Sequence, residues 1–228
     1  MLGLNLGATS SSGGGGAYDF GNALSFDGVN DYLLTDPAAD INVTGDFIFS
    51  WWFKSGVTGG GAASQMIATT ASEGDWIVLA SSNRVRIKVN GTNYNLNYNW
   101  SADSDWQHYC YYRVSGAINL VIDGVDHGTV GTNTNIFSYR YIGRRGSSIS
   151  IMLNGTIDDW FVSEETVTLA QVQSIYNSGA GNDPTTVISG TPKQYINFNQ
   201  SSTDSATAQN GSDMALNNFN TSTCWVAH

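Results

Sequence analysis

Two sets of oxygen-bearing side chains could do chemistry in this 228-residue chain. The first lies in "NALSFDGVNDYLL", where Asp27, Asn30 and Asp31 crowd a short break between two apolar runs. The second is Asp158 and Asp159 in "GTIDDWFV". Hard cations take several oxygens from carboxylates, amides and backbone carbonyls. Asp27, Asn30, Asp31, Asp158 and Asp159 therefore form a candidate structural Ca2+ site, provided that the first and last strands pair and bring the clusters together. Asp158 and Asp159 point to opposite faces of a strand, so at most one should contribute its side chain. The competing reading is a polar turn, with Gly28 permitting the bend.

Aromatic side chains supply the other chemistry. Sugar rings stack on exposed aromatics while amides and carboxylates bond the hydroxyls, and Trp52, Trp76, Tyr94, Tyr98 and Trp100 are the candidates for that contact. "GTNYNLNYNW" interleaves Tyr94, Tyr98 and Trp100 with Asn93, Asn95, Asn97 and Asn99. Tyr94, Leu96, Tyr98 and Trp100 also alternate as an ordinary strand would, so core packing competes with ligand contact.

Catalytic patterns are missing. Glycosidases of sandwich architecture work with two closely held carboxylates. The nearest string is "SEGDWIVLA", in which no second glutamate follows Glu73 and Asp75. Glu164 and Glu165 precede a helix and read as exposed. His108 and Cys110 are two residues apart on one strand, too far for a Cys-His nucleophile, and no His/Cys cluster has zinc spacing. The "GGGG" at 13–16 lacks the Lys-Ser/Thr of a phosphate loop. The chain reads as a non-enzyme.

The elements that must position these residues are strands. Charged residues make up only 12% of the chain, so Asn, Ser, Thr and Gly must cover the surface. The net charge of −10 excludes nucleic-acid binding by phosphate neutralisation. No run approaches the ~20 apolar residues of a membrane span. The opening "MLGLNLGATSSSGGGG" lacks a basic n-region and is read as carrying no secretory signal. Cys110 sits in an apolar run and Cys224 near the end, with no disulfide framework.

Period-two patterning recurs along the chain. "DFIFSWWFK" puts Phe47, Phe49, Trp51 and Phe53 on one face and Ile48, Ser50, Trp52 and Lys54 on the other. Asn90-Gly91 and Asp123-Gly124 mark hairpins. Short strands at 8–12-residue spacing predict an all-β, two-sheet antiparallel sandwich. One short helix is predicted near 168–178, with Thr168 as N-cap and Gln171 completing a capping box. Residues 1–17 form a Gly/Ser arm, 18–179 the main domain, and 180–228 an extension too small for its own core.

The order "ALSFDGVNDYLL", "DFIFSWWFK", "DWQHYCYYRV", "INLVIDGV", "YIGRR", "NGTIDDWFV" and "LAQVQSIYNSG" resembles the laminin-G-like group of the concanavalin A-like jelly rolls over residues 22–179. The resemblance implies a jelly-roll sandwich of two curved sheets; it does not imply one function. The tail "YINFNQSSTDSATAQNGSDMALNNF" also resembles the opening of such domains. In style, the Gly-rich arm, low Lys content and appended partial motif are similar to bacteriophage virion proteins.

Two functions follow as expectations. In one, the chain is a structural virion protein, a capsid decoration or fibre-type subunit made in the host cytoplasm. Its termini would dock on other virion subunits or on copies of itself in a homo-oligomer. In the other, it is a glycan-binding or host-adhesion module that reads cell-surface polysaccharide through loop aromatics, with or without calcium. Arg140, Arg144 and Arg145 are scarce cations on an acidic chain and should meet an acidic neighbour.

Overall fold

The structure is a computed structural model that describes residues 18–57, 64–100, 105–146, 148–200 and 205–228. The Gly/Ser arm, 1–17, lies outside the described residues. The early strands are β1 (Asn22–Asp27), β2 (Tyr32–Thr35), β3 (Ile41–Val43), β4 (Phe47–Ser55), β5 (Gln65–Thr69), β6 (Trp76–Ala80), β7 (Arg84–Val89) and β8 (Thr92–Asn97). The middle ones are β9 (Trp106–Val114), β10 (Ala117–Ile122), β11 (Val125–Thr132), β12 (Phe137–Tyr139), β13 (Tyr141–Ile142), β14 (Arg144–Arg145), β15 (Ser148–Met152) and β16 (Asn154–Ser163). Helices α1 (Leu169–Tyr176) and α2 (Pro184–Val187) precede β17 (Gln194–Ile196), β18 (Ser205–Ala206), β19 (Met214–Asn217) and β20 (Trp225–Ala227).

These strands form the expected antiparallel two-sheet sandwich. The first sheet runs β11-β10-β9-β4-β16-β1-β20, with β17 also paired to β16. The second runs β18-β19-β2-β13-β5-β6-β7-β8. Both hairpin signals hold: Asn90 and Gly91 have φ of 46° and 81°, and Asp123 and Gly124 have 49° and 72°. Two successive positive φ values match the right-handed twist of the flanking strands.

The core lies between the inner faces. Phe47, Phe49, Trp51 and Phe53 point into it from β4, as their spacing predicts, beside Tyr109, Tyr111 and Trp160. Trp51 stacks on Tyr109 with centroids 5.5 Å apart and meets Trp160 at 5.9 Å. From the second sheet Ile67, Ile77, Leu79, Val85 and Ile87 close the layer.

The opposite face of β4 is more buried than its mixed composition implies, with Ile48, Ser50 and Trp52 all nearly inaccessible. Helix α1 covers this outer face. Its Val172 and Ile175 pack with Ile48, Cys110, Val121 and Phe161. Thr168 caps the helix, accepting from the Gln171 N–H, and Gln171 reaches back to the Thr168 N–H. The apparent linker after Gly179 contains the one-turn α2, whose first position is Pro184 and whose cap is Asp183.

Residues 180–228 dock on their own domain. Strand β17 pairs with β16, β20 with β1, and β19 with β2. The segment thus adds to both sheets, and Ile196, Phe198, Ala206 and Met214 join the main core. Met214→Ala should destabilise the whole domain by about 2–5 kcal/mol in a denaturant titration, in one transition with unchanged slope. An unchanged midpoint would mean that the extension folds separately.

Candidate functional site

Alternation sorts the side chains of the second sheet. On β7, Val85, Ile87 and Val89 enter the core, so Arg84, Arg86 and Lys88 point outward. On β6, Ile77 and Leu79 point in while Trp76, Val78 and Ala80 point out. The register sets Trp76 opposite Lys88, and Val78 opposite Arg86. The Arg86 guanidinium carbon lies 5.4 Å from the Trp76 ring centroid and the Lys88 Nζ 5.9 Å. On β8 the outward residues are Asn93, Asn95 and Asn97, and Asn95 Oδ1 accepts from Arg86 Nε.

The β14–β15 hairpin forms one wall of a groove on this outer face. Ser64, Met66, Trp76, Val78, Ala80, Arg86, Arg145 and Ile151 line about 180 Å³. Glu73 braces two of the nearby cations: its carboxylate accepts from Arg145 Nε at 2.7 Å, and its carbonyl accepts from Lys88 Nζ at 3.0 Å. Across the hairpin, Arg144 lies over Tyr32 and Tyr141, 4.3 and 5.0 Å from their centroids. Of the three cations expected to meet acidic neighbours, Arg140 pairs with Asp40 and Arg145 with Glu73 within this chain, whereas Arg144 lies over tyrosine rings.

Of the five aromatic candidates, only Trp76 lines the groove. Trp100 is 1% exposed, and its indole N–H donates to the Ala80 carbonyl. Tyr94 packs on the core side, donates to Thr132 O and rests against Gly131, where a Cβ would collide with the ring. Tyr98 also packs on the core and accepts from Gln107 Nε2. The strand's asparagines and tyrosines therefore face opposite ways, so they cannot form one mixed sugar site. Trp52 is 3% exposed beneath Phe20, Tyr176 and His228. Arg86 in the groove and Lys88 beside Trp76 were missed in the sequence, and Arg145 was named there only as a scarce cation. The cations of "RVRIKV" alternate at period two, which was the available signal; Arg145 is brought in by the hairpin.

The acidic candidates do not converge. Strands β1 and β16 do pair, but Asp27 faces Asn154 while Ile157, one residue before Asp158, faces Leu24. At ~3.3 Å per residue the two clusters are roughly 13 Å apart along the strand. In the first, Asp27 Oδ1 accepts from the Val29 and Asn30 N–H groups, and Asp31 Oδ2 from the Asp27 N–H. Burial raises the Asp31 carboxyl to about 6. Asp27 and Asp31 share a polar hollow with Asn218, Asn220 and Thr223. Both carboxylates already accept backbone N–H groups of the turn. Among the described residues, no three His, Cys, Asp or Glu side chains are grouped to hold a metal.

Asp158 and Asp159 correct the expectation of opposite faces. Between the pairs Asp158–Trp52 and Phe161–Ser50, β16 has one more residue than β4, and Asp159 has φ 47°. This bulge turns both carboxyls to the outer side of the first sheet. Asp159 accepts from the Tyr18 and Tyr195 hydroxyls, and Asp158 Oδ2 lies 2.7 Å from His228 Nδ1. The imidazole is stacked between Phe20 and Trp106.

The remaining titratable candidates are structural. His108 Nε2 lies 2.8 Å from Ser50 Oγ, fully buried, and burial lowers its imidazole to about 3. Cys110 and Cys224 are free thiols, and burial pushes the Cys110 thiol up. Asp75 accepts from the Asn90 and Ser138 N–H groups. Glu164, expected to be exposed, accepts from Thr44 and pairs with Lys193.

Burial and then the Asp159 charge raise the Asp158 carboxyl. Burial and then Lys54 lower His228 to about 4. The folded pair thus holds one proton. In the unfolded chain it holds one between roughly pH 4 and 6.5 and none above, so the folded state binds the extra proton on the alkaline side. Stability from the pair should fall on the order of 2 kcal/mol between about pH 7 and pH 9. Asp158→Asn should flatten this decline in melting curves taken across that range; equal slopes would refute the shared proton.

A family model described as the concanavalin A-like lectin/glucanases superfamily, laminin G type, matches residues 27–173. Among solved structures, the chain is similar to a candidate carbohydrate-binding protein from Bacteroides ovatus, at 16% identity and a TM-score of 0.62. The match covers 92% of this chain and 62% of that one, so this chain spans less than two thirds of its length. It is also similar to a heptameric SAP-like pentraxin from Limulus polyphemus, at 16% identity and a TM-score of 0.52, covering 89% of this chain and 98% of that one. No curated protein matches the sequence.

Proposed function

This chain belongs to the concanavalin A-like lectin/glucanases superfamily, and we propose that it is a non-catalytic glycan-binding module. The observation that carries this reading is the partly exposed Trp76 in a groove on the outer face of the second sheet. An indole face offers a flat apolar platform to the C–H face of a sugar ring. Outward Asn93, Asn95 and Asn97 on nearby β8 carry amides that can bond hydroxyls. The carbohydrate-binding description of the Bacteroides relative supports a saccharide as ligand.

Catalysis has little to work with at the groove. None of its lining residues is a carboxylic acid, whereas glycoside hydrolysis ordinarily needs two carboxyl groups flanking the bond. The assembly-subunit reading rested on ends that cannot bury themselves. Strands β17, β19 and β20 are instead paired within their own sheets, so that motivation is lost for the extension.

Trp76→Ala should reduce polysaccharide affinity about 30-fold or more in affinity electrophoresis, as loss of an aromatic hot spot does. Tyr94→Phe should bind like the parent, because its ring faces the core. Neither protein should release reducing ends from a bound polymer. Retained affinity in Trp76→Ala would remove the groove from the binding site.

A further inference from the structure

The groove's cations are a larger feature than a neutral sugar requires. The chain has nine Lys and Arg against nineteen Asp and Glu. Yet Arg84, Arg86 and Lys88 share one outward face of β7, and Arg144 and Arg145 form β14 beside them. Among the described residues, Arg84, Arg86 and Lys88 have no carboxylate ion pair. Glu73 is paired with Arg145 at 2.7 Å, and the buried Asp75, its oxygens on backbone N–H groups, attracts Lys88, so the uncompensated charge rests on Arg84 and Arg86.

An unpaired cluster of like charges raises the electrostatic energy of the folded chain unless an anion meets it. Arg is suited to that contact, because its planar fork matches a carboxylate or sulfate. Arg86 is already oriented by the Nε–Asn95 bond and by the indole beside it. Arg145 is held from the opposite wall by Glu73. The two guanidinium groups and the indole therefore line one cavity.

We propose that the groove selects an anionic saccharide. The apolar face of a sugar ring rests on Trp76 while its carboxylate or sulfate is held by Arg86 and Arg145, with Arg84 and Lys88 adding long-range attraction. This rests on the glycan-binding reading and narrows it to a ligand class. A nucleic acid is the less favoured polyanion, because the net charge of −10 opposes a long phosphate chain and only one indole is offered for stacking.

Binding of the full chain would be measured by calorimetry with oligogalacturonate, a chondroitin sulfate oligomer, neutral arabinan and dextran oligomers, and single-stranded DNA. One or both anionic saccharides should bind about tenfold or more tightly than either neutral one. Their affinity should fall as NaCl rises to roughly 0.3 M. The double variant Arg86→Gln, Arg145→Gln keeps much of each side-chain stem over the groove. It should lose about tenfold for the anionic ligand, a larger loss than for the neutral one, and an equal loss for both would overturn the anionic selectivity.

Equal binding of neutral and anionic oligomers, with Trp76→Ala still deleterious, would overturn the anionic selectivity but leave the groove as a glycan site. DNA binding tighter than either saccharide would also overturn it. No saccharide binding at all would overturn both readings. Chondroitin sulfate carries glucuronate as well as sulfate, so comparing it with desulfated chondroitin distinguishes a sulfate from a carboxylate source, and either result supports the proposal.

Discussion

Aromatic rings lock the inner face of the first sheet, and aliphatic side chains of the second sheet close over them. Trp51 packs on Tyr109, Tyr111 and Trp160, and Phe49 meets Phe137, Tyr139 and Trp160. Such rings bury large areas and prefer particular stacking geometries, so they fix which face of β4, β9 and β16 points inward. A one-residue slip in any of these strands would exchange core and outer side chains. The placement of every outward residue depends on this register.

The outer faces then meet different fates. On the first sheet, α1, α2 and the segments near residues 18–20 and 225–228 cover Ile48, Trp52, His108 and Phe161. That face stores polar groups in a dry setting, where carboxyls rise and imidazoles fall because their charged forms lose water. Among the described residues, the second sheet has only the short β14–β15 hairpin beside its groove. Its outer side keeps an indole, guanidinium groups and amides within reach of a ligand. The same sandwich supplies a closed back and an open front.

The bulge at Asp158 and Asp159 shows how one extra residue redirects chemistry. Regular alternation would divide the two carboxyls between the core and the outer face. The bulge sends both outward, where Tyr18 and Tyr195 bond one oxygen of Asp159 and His228 bonds Asp158. These contacts fasten sequence-distant segments to the first sheet.

Much was legible locally. Alternation in "DFIFSWWFK" and "RVRIKV", the Asn90-Gly91 turn and the Thr168–Gln171 capping box each encode their geometry within a few residues. The antiparallel sandwich and the aromatic core followed from them. The site was less legible. Tyr94, Tyr98 and Trp100 look like sugar contacts by composition, but their face is decided by what lies across from β8, and the core claims it.

The sequence by itself determined the strands, the turns, the helix and the sparse, acidic charge, because those depend on propensity and near-neighbour spacing. Tertiary structure decided that 180–228 would complete its own sheets, that Asp27 and Asp158 would stay apart, and that Arg86 and Arg145 would share a groove with Trp76. These are relations between residues ten to just over two hundred positions apart. They are set by strand register and by competition for buried area, which no local pattern records.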